Sequence, residues 1–200
     1  MRRSFAILWT ALMLAGCVAA SPTPTATAAL PTAQASEAVR PSSAGPIELA
    51  GTWHRDESCE EIAQLFESLG LRTLGASYIA GNGFRSETIA TVAADTDLCR
   101  GASSPKARTI TFGQAGRWTG TLAGTQVDDG SFSIATDHGI VLAHDSGDPA
   151  GTPDITLNYE IVGAMVTFTV QAPAECSSQP CIEQVAWAKE TFALGPWARG

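Results

Sequence analysis

Ala50-Gly51-Thr52-Trp53-His54-Arg55 is the stretch from which the fold is read. A Gly-x-Trp lies inside a strand-like run that begins near Ile47 and reaches His54. Directly behind it, Ser58-Cys59-Glu60-Glu61 forms a capping box: the Ser hydroxyl takes the Glu61 amide and the Glu61 carboxylate reaches back. Ile62, Leu65, Phe66 and Leu69 then recur at helical spacing, and Gly70 is a natural stop. The spacing predicts a helix over 59–69 that closes one end of whatever the strands build.

Downstream of the helix, Leu71 to Phe84 is less regular, with a short helix and a glycine-rich turn expected around Tyr78–Phe84. Residues 85–106 read as a long connection. Connections of this length are usually functional or covalently tied down, and Cys99 points to the second. From Lys106 the pattern becomes period two. Ile110 and Phe112 share a face, as do Trp118, Gly120 and Leu122, then Phe132 and Ile134. A strand over Ile140–His144 follows, and after a Gly/Asp/Pro loop Ile155, Leu157, Tyr159 and Ile161 alternate with polar residues. Val166, Phe168 and Val170 do the same, and Glu183–Phe192 reads as the last strand, with Val185 and Trp187 on one face. Turns such as Asp128-Asp129-Gly130, Asp137-His138-Gly139 and Gly163 separate the runs. The expectation is an all-β fold with one helix: an antiparallel eight-stranded up-and-down barrel whose first strand pairs with its last. Closure removes the exposed edges that a meander leaves, and a two-sheet sandwich is the competing architecture.

The residues before this domain carry an address. Met1-Arg2-Arg3 is a basic start, Phe5 to Leu14 is an apolar run too short to span a bilayer, and Leu14-Ala15-Gly16-Cys17 resembles the bacterial lipobox. That resemblance implies a signal peptide over 1–17 with Cys17 as the acylated residue. Two or three acyl chains hold far more firmly than one. Arg2-Arg3-Ser4-Phe5 lacks the flanking residues of a twin-arginine signal, so general secretion is expected. Residues 18–45 are almost entirely Ala, Ser, Thr and Pro and read as a disordered tether, reaching on the order of 80 Å when extended at ~3.1 Å per residue. The folded domain is expected over 46–200. The predicted location is the extracytoplasmic face of a bacterial cell membrane.

Composition narrows the partners. The chain of 200 residues is 44% apolar and 16% charged, which suits a packed domain rather than disorder. It carries 12 Lys and Arg against 20 Asp and Glu, a formal charge of −8, and removal of Arg2 and Arg3 makes it −10. A nucleic acid would be repelled, as would anionic headgroups. The expected partners are the membrane, through the anchor, and a small apolar ligand. No nucleic acid is expected, and the protein should be a monomer.

Apart from Cys17, four cysteines remain: Cys59, Cys99, Cys176 and Cys181. An even number outside the cytoplasm predicts disulfides. Of three pairings, Cys59–Cys99 with Cys176–Cys181 is favoured, because the first pins the long connection to the helix start. In the chain-entropy model the two loops imply about 4 and about 2 kcal/mol. Four thiols without Cys-x-x-Cys spacing make a poor zinc site.

Gly51-x-Trp53, the capped helix, the eight-strand meander and the terminal Pro196-Trp197-x-Arg199 together resemble lipocalin-like (calycin-type) domains. More closely they resemble a group of uncharacterised function attached to bacterial lipoproteins. Its marks are a Cys-Glu-Glu helix start (Cys59–Glu61), a Gln-Val-Asp-Asp-Gly turn (Gln126–Gly130), a Cys-x4-Cys pair and a Trp-x-Arg end. The resemblance covers residues 47–200. It implies that a basic side chain, Arg199 or Lys189, lies on the Trp53 indole, so that Gly51, Trp53 and Arg199 close the barrel base. The open mouth then lies at the other end. One departure is the helix, which follows the first strand here and the last strand in true lipocalins.

Catalytic constellations are not expected. There is no Gly-x-Ser-x-Gly, no His-Glu-x-x-His and no P-loop. His54 with Asp56 and Glu57 reads as a strand-end surface group. His138 and His144 stand at opposite ends of one strand and do not converge. Asp95-Thr96-Asp97 and Asp145–Asp148 lack EF-hand spacing and read as solvated loops. The expectation is therefore no enzyme, no metal and no cofactor. Phe112, Trp118, Phe132, Tyr159, Phe168 and Trp187 are the candidate ligand-lining side chains. So many rings in a small barrel fit a narrow apolar cleft at the mouth or a filled core. The first makes the protein a binder of a small apolar or amphipathic molecule. The second makes it a packed-barrel protein-interaction module of the envelope.

Overall fold

The structure is a computed structural model that describes residues 48–143 and 152–200. Cys17, the 18–45 stretch, His144 and the Asp145–Asp148 loop lie outside the described residues. The described chain runs β1 (Gly51–Glu57), α1 (Cys59–Ser68), α2 (Arg72–Gly81), α3 (Ile89–Ala94), β2 (Lys106–Phe112), β3 (Arg117–Leu122), β4 (Thr125–Thr136), β5 (Gly139–Leu142), β6 (Ile155–Val162), β7 (Met165–Gln171), α4 (Gln179–Ala193) and β8 (Trp197–Arg199). The eight strands follow one another in order as a closed antiparallel barrel. β8 completes it, with Trp53 opposite Arg199 on β1 and Val166 opposite Trp197 on β7.

Alternation builds the barrel. On β1 the side chains of Trp53, Arg55 and Glu57 are buried while His54 and Asp56 face out; on β2 Arg108, Ile110 and Phe112 are buried. One core fills the barrel with Trp53, Ile110, Phe112, Trp118, Phe132, Leu157, Phe168 and Trp197 among others. Gly51 sits at φ +129°, a backbone region that a side chain would strain, and its place at the strand start follows from that.

The base closes on Trp53. Its indole is fully buried and donates from Nε1 to the Leu49 carbonyl at 2.9 Å. The Arg199 guanidinium stands 4.5 Å from the ring centroid and donates to the Glu48 carbonyl. At this same end the single Tyr159 hydroxyl proton is shared between Glu48 Oε1 (2.9 Å) and the Asp137 carbonyl (3.0 Å).

The helices gather at the other end. α1 begins as its capping box dictates: Ser58 Oγ accepts from the Glu61 amide and the Ser58 amide donates to Glu61 Oε2 at 2.9 Å. α1, α2 and α3 share a second core of Ile62, Phe66, Ala76, Ile79 and Val92, which reaches the barrel at Leu122 and α4 at Ala186. The 85–106 connection thus contains α3 and is tied back by Cys59–Cys99. The second disulfide is Cys176–Cys181.

Two expectations are corrected. The described residues hold four helices, where the sequence predicts the 59–69 helix and a short turn of helix near Tyr78, and Glu183–Phe192 is not a strand but the body of α4. Ser178 caps that helix by accepting from the Cys181 amide, and Pro180 occupies its first turn, where a missing N–H costs nothing. Cys181, Val185, Ala188 and Phe192, spaced four, three and four, form its buried stripe against the barrel core. Val185 and Trp187 satisfy period two as well, which is how the segment mimics a strand. The closing strand is instead the three-residue β8.

Replacing Arg199 with Ala is expected to lower unfolding stability by about 0.5–1 kcal/mol, the worth of an exposed cation over an indole. Trp53→Ala should cost about 3–5 kcal/mol as a core truncation. Urea denaturation measures both. An Arg199→Ala loss as large as that of Trp53→Ala would show that the contact does more than cover the ring.

Candidate functional site

The helix-bearing end is where charge and cavity meet. β1, β2 and α4 bring four ionisable side chains into the barrel mouth. Arg55 Nη2 donates to Glu57 Oε2 at 2.7 Å and to the Glu190 carbonyl at 3.2 Å. Arg108 Nη1 donates to Glu57 Oε2 at 2.9 Å and to Glu190 Oε1 at 2.7 Å, and its Nη2 donates to Thr191 Oγ1. Thr191 in turn donates to Glu190 Oε2 at 3.0 Å. All four charged side chains are under 5% exposed. The Arg55 guanidinium also lies 5.0 Å from the Trp197 ring centroid.

Burial sets the protonation of this cluster. Burial pushes the Glu190 carboxyl up to about 8, the adjacent Glu57 pushes the same way, and Arg108 pulls it back. Burial also lowers Arg55, against the pull of Glu57. For Arg108 burial works against the charge, but Glu190 and Glu57 outweigh it and its pKa is raised. An arginine side chain stays protonated in proteins, so both guanidinium groups carry charge. Four atoms of the cluster, Arg55 Nε and Nη1, Glu57 Oε1 and Arg108 Nε, have no partner among the described residues. Polar atoms so placed are what internal water satisfies in protein cores. The cluster locks α4 onto the barrel, and removing one partner from such a set typically costs about 3–5 kcal/mol.

Beside it a cleft of about 290 Å³ opens between α2, α4 and strands β3–β5. Tyr78 and Leu74 come from α2, Trp187 and Glu183 from α4, Trp118 from β3, and Asp128 and Leu142 from β4 and β5. The volume is at the lower limit of small-molecule sites. Trp118 lies over Gly130, where an added Cβ would come within 2.7 Å of the indole Nε1, so the glycine makes room for the ring. Trp187 Nε1 donates to Asp128 Oδ2 at 2.8 Å, fixing the wall to the floor. Burial raises the Asp128 carboxyl, and the Trp187 bond and Arg108 pull it down. Burial, then Glu190 and Asp128, hold the Tyr78 phenol protonated.

The six candidate lining side chains divide into three places. Trp118 and Trp187 line the cleft. Phe112, Phe132 and Phe168 pack inside the barrel: Phe112 meets Phe132 at 5.4 Å and Phe168 at 5.8 Å between centroids, and Phe192 of α4 meets Trp118 at 5.2 Å and Phe168 at 5.8 Å. Tyr159 belongs to the base with Trp53 and Arg199. The mouth expected to be open is covered by α4. His54 bonds to Thr109 Oγ1 on the outer face, while Glu57 points in, so His54, Asp56 and Glu57 do not converge. Exposed His138 stands 3.6 Å from Glu48. Among the described residues no three His, Cys, Asp or Glu side chains group as metal ligands.

The sequence reading places Glu57 on the surface, where the structure buries it, and gives no role to Arg55, Arg108, Asp128 or Glu190. Strand parity holds the signal for Arg55, Glu57 and Arg108. Arg55 and Glu57 continue the inward set begun by Trp53, and Arg108 the set of Ile110 and Phe112. A charge on an inward parity requires a buried partner.

Because the folded-state pKa of Glu190 is raised, its proton stabilises the native state fully below the unfolded carboxyl value and ceases to do so as pH rises through about 8. Unfolding stability is expected to fall across this window, by at most about 1.4 kcal/mol per pH unit from this group. Denaturant melts of Glu190→Gln should show a flatter pH profile. A profile parallel to that of the native protein would assign the dependence to other groups.

Comparison with protein-family models, with curated proteins and with solved structures returned no match for this chain.

Proposed function

We propose that this protein is a lipid-anchored, extracytoplasmic lipocalin-like barrel that binds a small amphipathic molecule non-covalently. The observation that carries the reading is the cleft walled by Trp118, Trp187 and Tyr78 with Asp128 at its floor. Aromatic walls with a few fixed polar groups are what small-molecule sites present. The site is lateral, under α2 and α4, rather than along the barrel axis, because the Phe112, Phe132, Phe168 and Phe192 rings occupy the axis.

The location is argued from sequence and chemistry. The Leu14–Cys17 lipobox supports anchoring through Cys17, and 1–17, 18–45 and 46–200 divide the chain into signal, tether and binding domain. Two disulfides suit an oxidising compartment. No described helix is long and apolar enough to cross a membrane. The second reading, an envelope module that binds a protein partner, draws on the filled barrel axis. We favour the ligand reading because the cleft pairs apolar walls with an inward carboxylate, a combination that a mere packing element does not need.

Cys17→Ala is expected to move the protein from the membrane pellet to the soluble fraction; a variant that stays in the pellet would remove the anchor from the account. Native mass spectrometry after mild extraction should show the protein carrying a small molecule, which Trp187→Ala should lose. A bare mass for the native protein would turn the choice toward the interaction module.

A further inference from the structure

The floor of the cleft is set by an irregularity in the sheet. β3 and β4 pair Gly120 with Asp128 and next Thr121 with Gln126, so Val127 is an extra residue on β4. Such a bulge re-aims the side chains around it. Val127 is left 43% exposed, and Asp128 takes the inward face shared by Gly130 and Phe132. A carboxylate is thereby held half-buried at the barrel mouth.

Its partners are neutral. Trp187 Nε1 donates to one oxygen at 2.8 Å and the Asp129 amide to the other at 3.0 Å. Asp128 forms no ion pair among the described residues. Arg108, whose field it feels, bonds through Nη1 to Glu57 and Glu190 and through Nη2 to Thr191. Asp129 and Glu183 add negative charge to the lining, though Asp129 is paired with Arg117 outside it. No Lys, Arg or His belongs to the described lining. Three ring systems, Tyr78, Trp118 and Trp187, form the apolar walls together with Leu74 and Leu142.

We infer that the cleft selects a small organic cation, with its ammonium group against Asp128 and its apolar body between the Tyr78, Trp118 and Trp187 rings. This rests on the cleft being the ligand site. A cation supplies the charge partner that the half-buried carboxylate lacks, and ring faces attract it further. An anion would meet Asp128 and Glu183 in a low-dielectric recess and be excluded. A neutral molecule gains the walls but leaves the carboxylate uncompensated.

The full-length protein in a neutral detergent is titrated at neutral pH with phenethylammonium, with 2-phenylethanol and with phenylacetate, followed by calorimetry and tryptophan fluorescence. Phenethylammonium should bind at least tenfold more tightly than 2-phenylethanol, and phenylacetate should bind weakest. Asp128→Asn, whose amide oxygen still accepts from Trp187, should erase the preference for the amine and keep binding of the alcohol. Asp129→Asn should keep the preference. Equal binding of amine and alcohol by the native protein would overturn the cation inference and leave the cleft as a ligand site. Binding of none of the three would overturn both. The native preference decides the matter even where a variant fails to fold.

Discussion

The contact on which the structure turns is the clamp between Glu190 of α4 and the Glu57–Arg108 pair of the barrel wall. α4 leaves the sheet after β7, crosses the mouth and returns the chain to β8. β8 is only three residues long and has few ladder bonds with which to choose its own position. The helix must therefore set where β8 arrives. It does so by two means on two faces. Phe192 and Val185 enter the apolar core, and Glu190 meets Arg108. The Arg55–Glu190 backbone bond and the Arg55–Trp197 stack extend the same grip to both ends of the β8 connection. Apolar packing alone tolerates sliding by a turn, whereas a buried hydrogen-bonded set has one register in which its members meet. That specificity comes at a desolvation cost, which is the usual balance for buried ion pairs.

A barrel closed in this way differs from a container. The rings that fill its axis come partly from strands and partly from α4, so interior and lid are one packed body. The cleft opens where the sheet is irregular, at the Val127 bulge and over Gly120 and Gly130. Trp118 lies across those glycines and leaves the recess beside Asp128. The cleft is a consequence of small residues on the inward face of β3 and β4, not of an unfilled barrel.

What the sequence revealed, and what it hid, follows from range. The capping box, the 59–69 helix and the alternation from β2 to β7 rest on neighbours a few residues apart, and these were legible. Trp53 as a closing residue follows from the family resemblance, which leaves Arg199 or Lys189 as its cover, and it is Arg199 that lies on the ring. The α4 segment reads as a strand because Val185 and Trp187 fit both periods; the Ser178 cap and Pro180 carry the helical signal that separates the two. The ion cluster joins residues up to 135 positions apart, and nothing local pairs Glu190 with Arg108. The Val127 bulge reverses parity within one strand, so Asp128 reads as part of a polar turn although it faces inward.

The two disulfides support the same end of the molecule. Cys59–Cys99 ties the first residue of α1 to the segment after α3, holding together the helices that carry Tyr78. Cys176–Cys181 closes on the first turn of α4, two residues before Glu183 and six before Trp187. The base relies instead on Trp53, Arg199 and Tyr159, with no covalent tie among the described residues. Strands are held by their ladders whichever end they face. Helices packed on a barrel mouth have no ladder, and a short helix is marginal by itself. Cross-links are therefore placed where backbone pairing is absent, and they restrain the two elements, α2 and α4, between which the cleft lies.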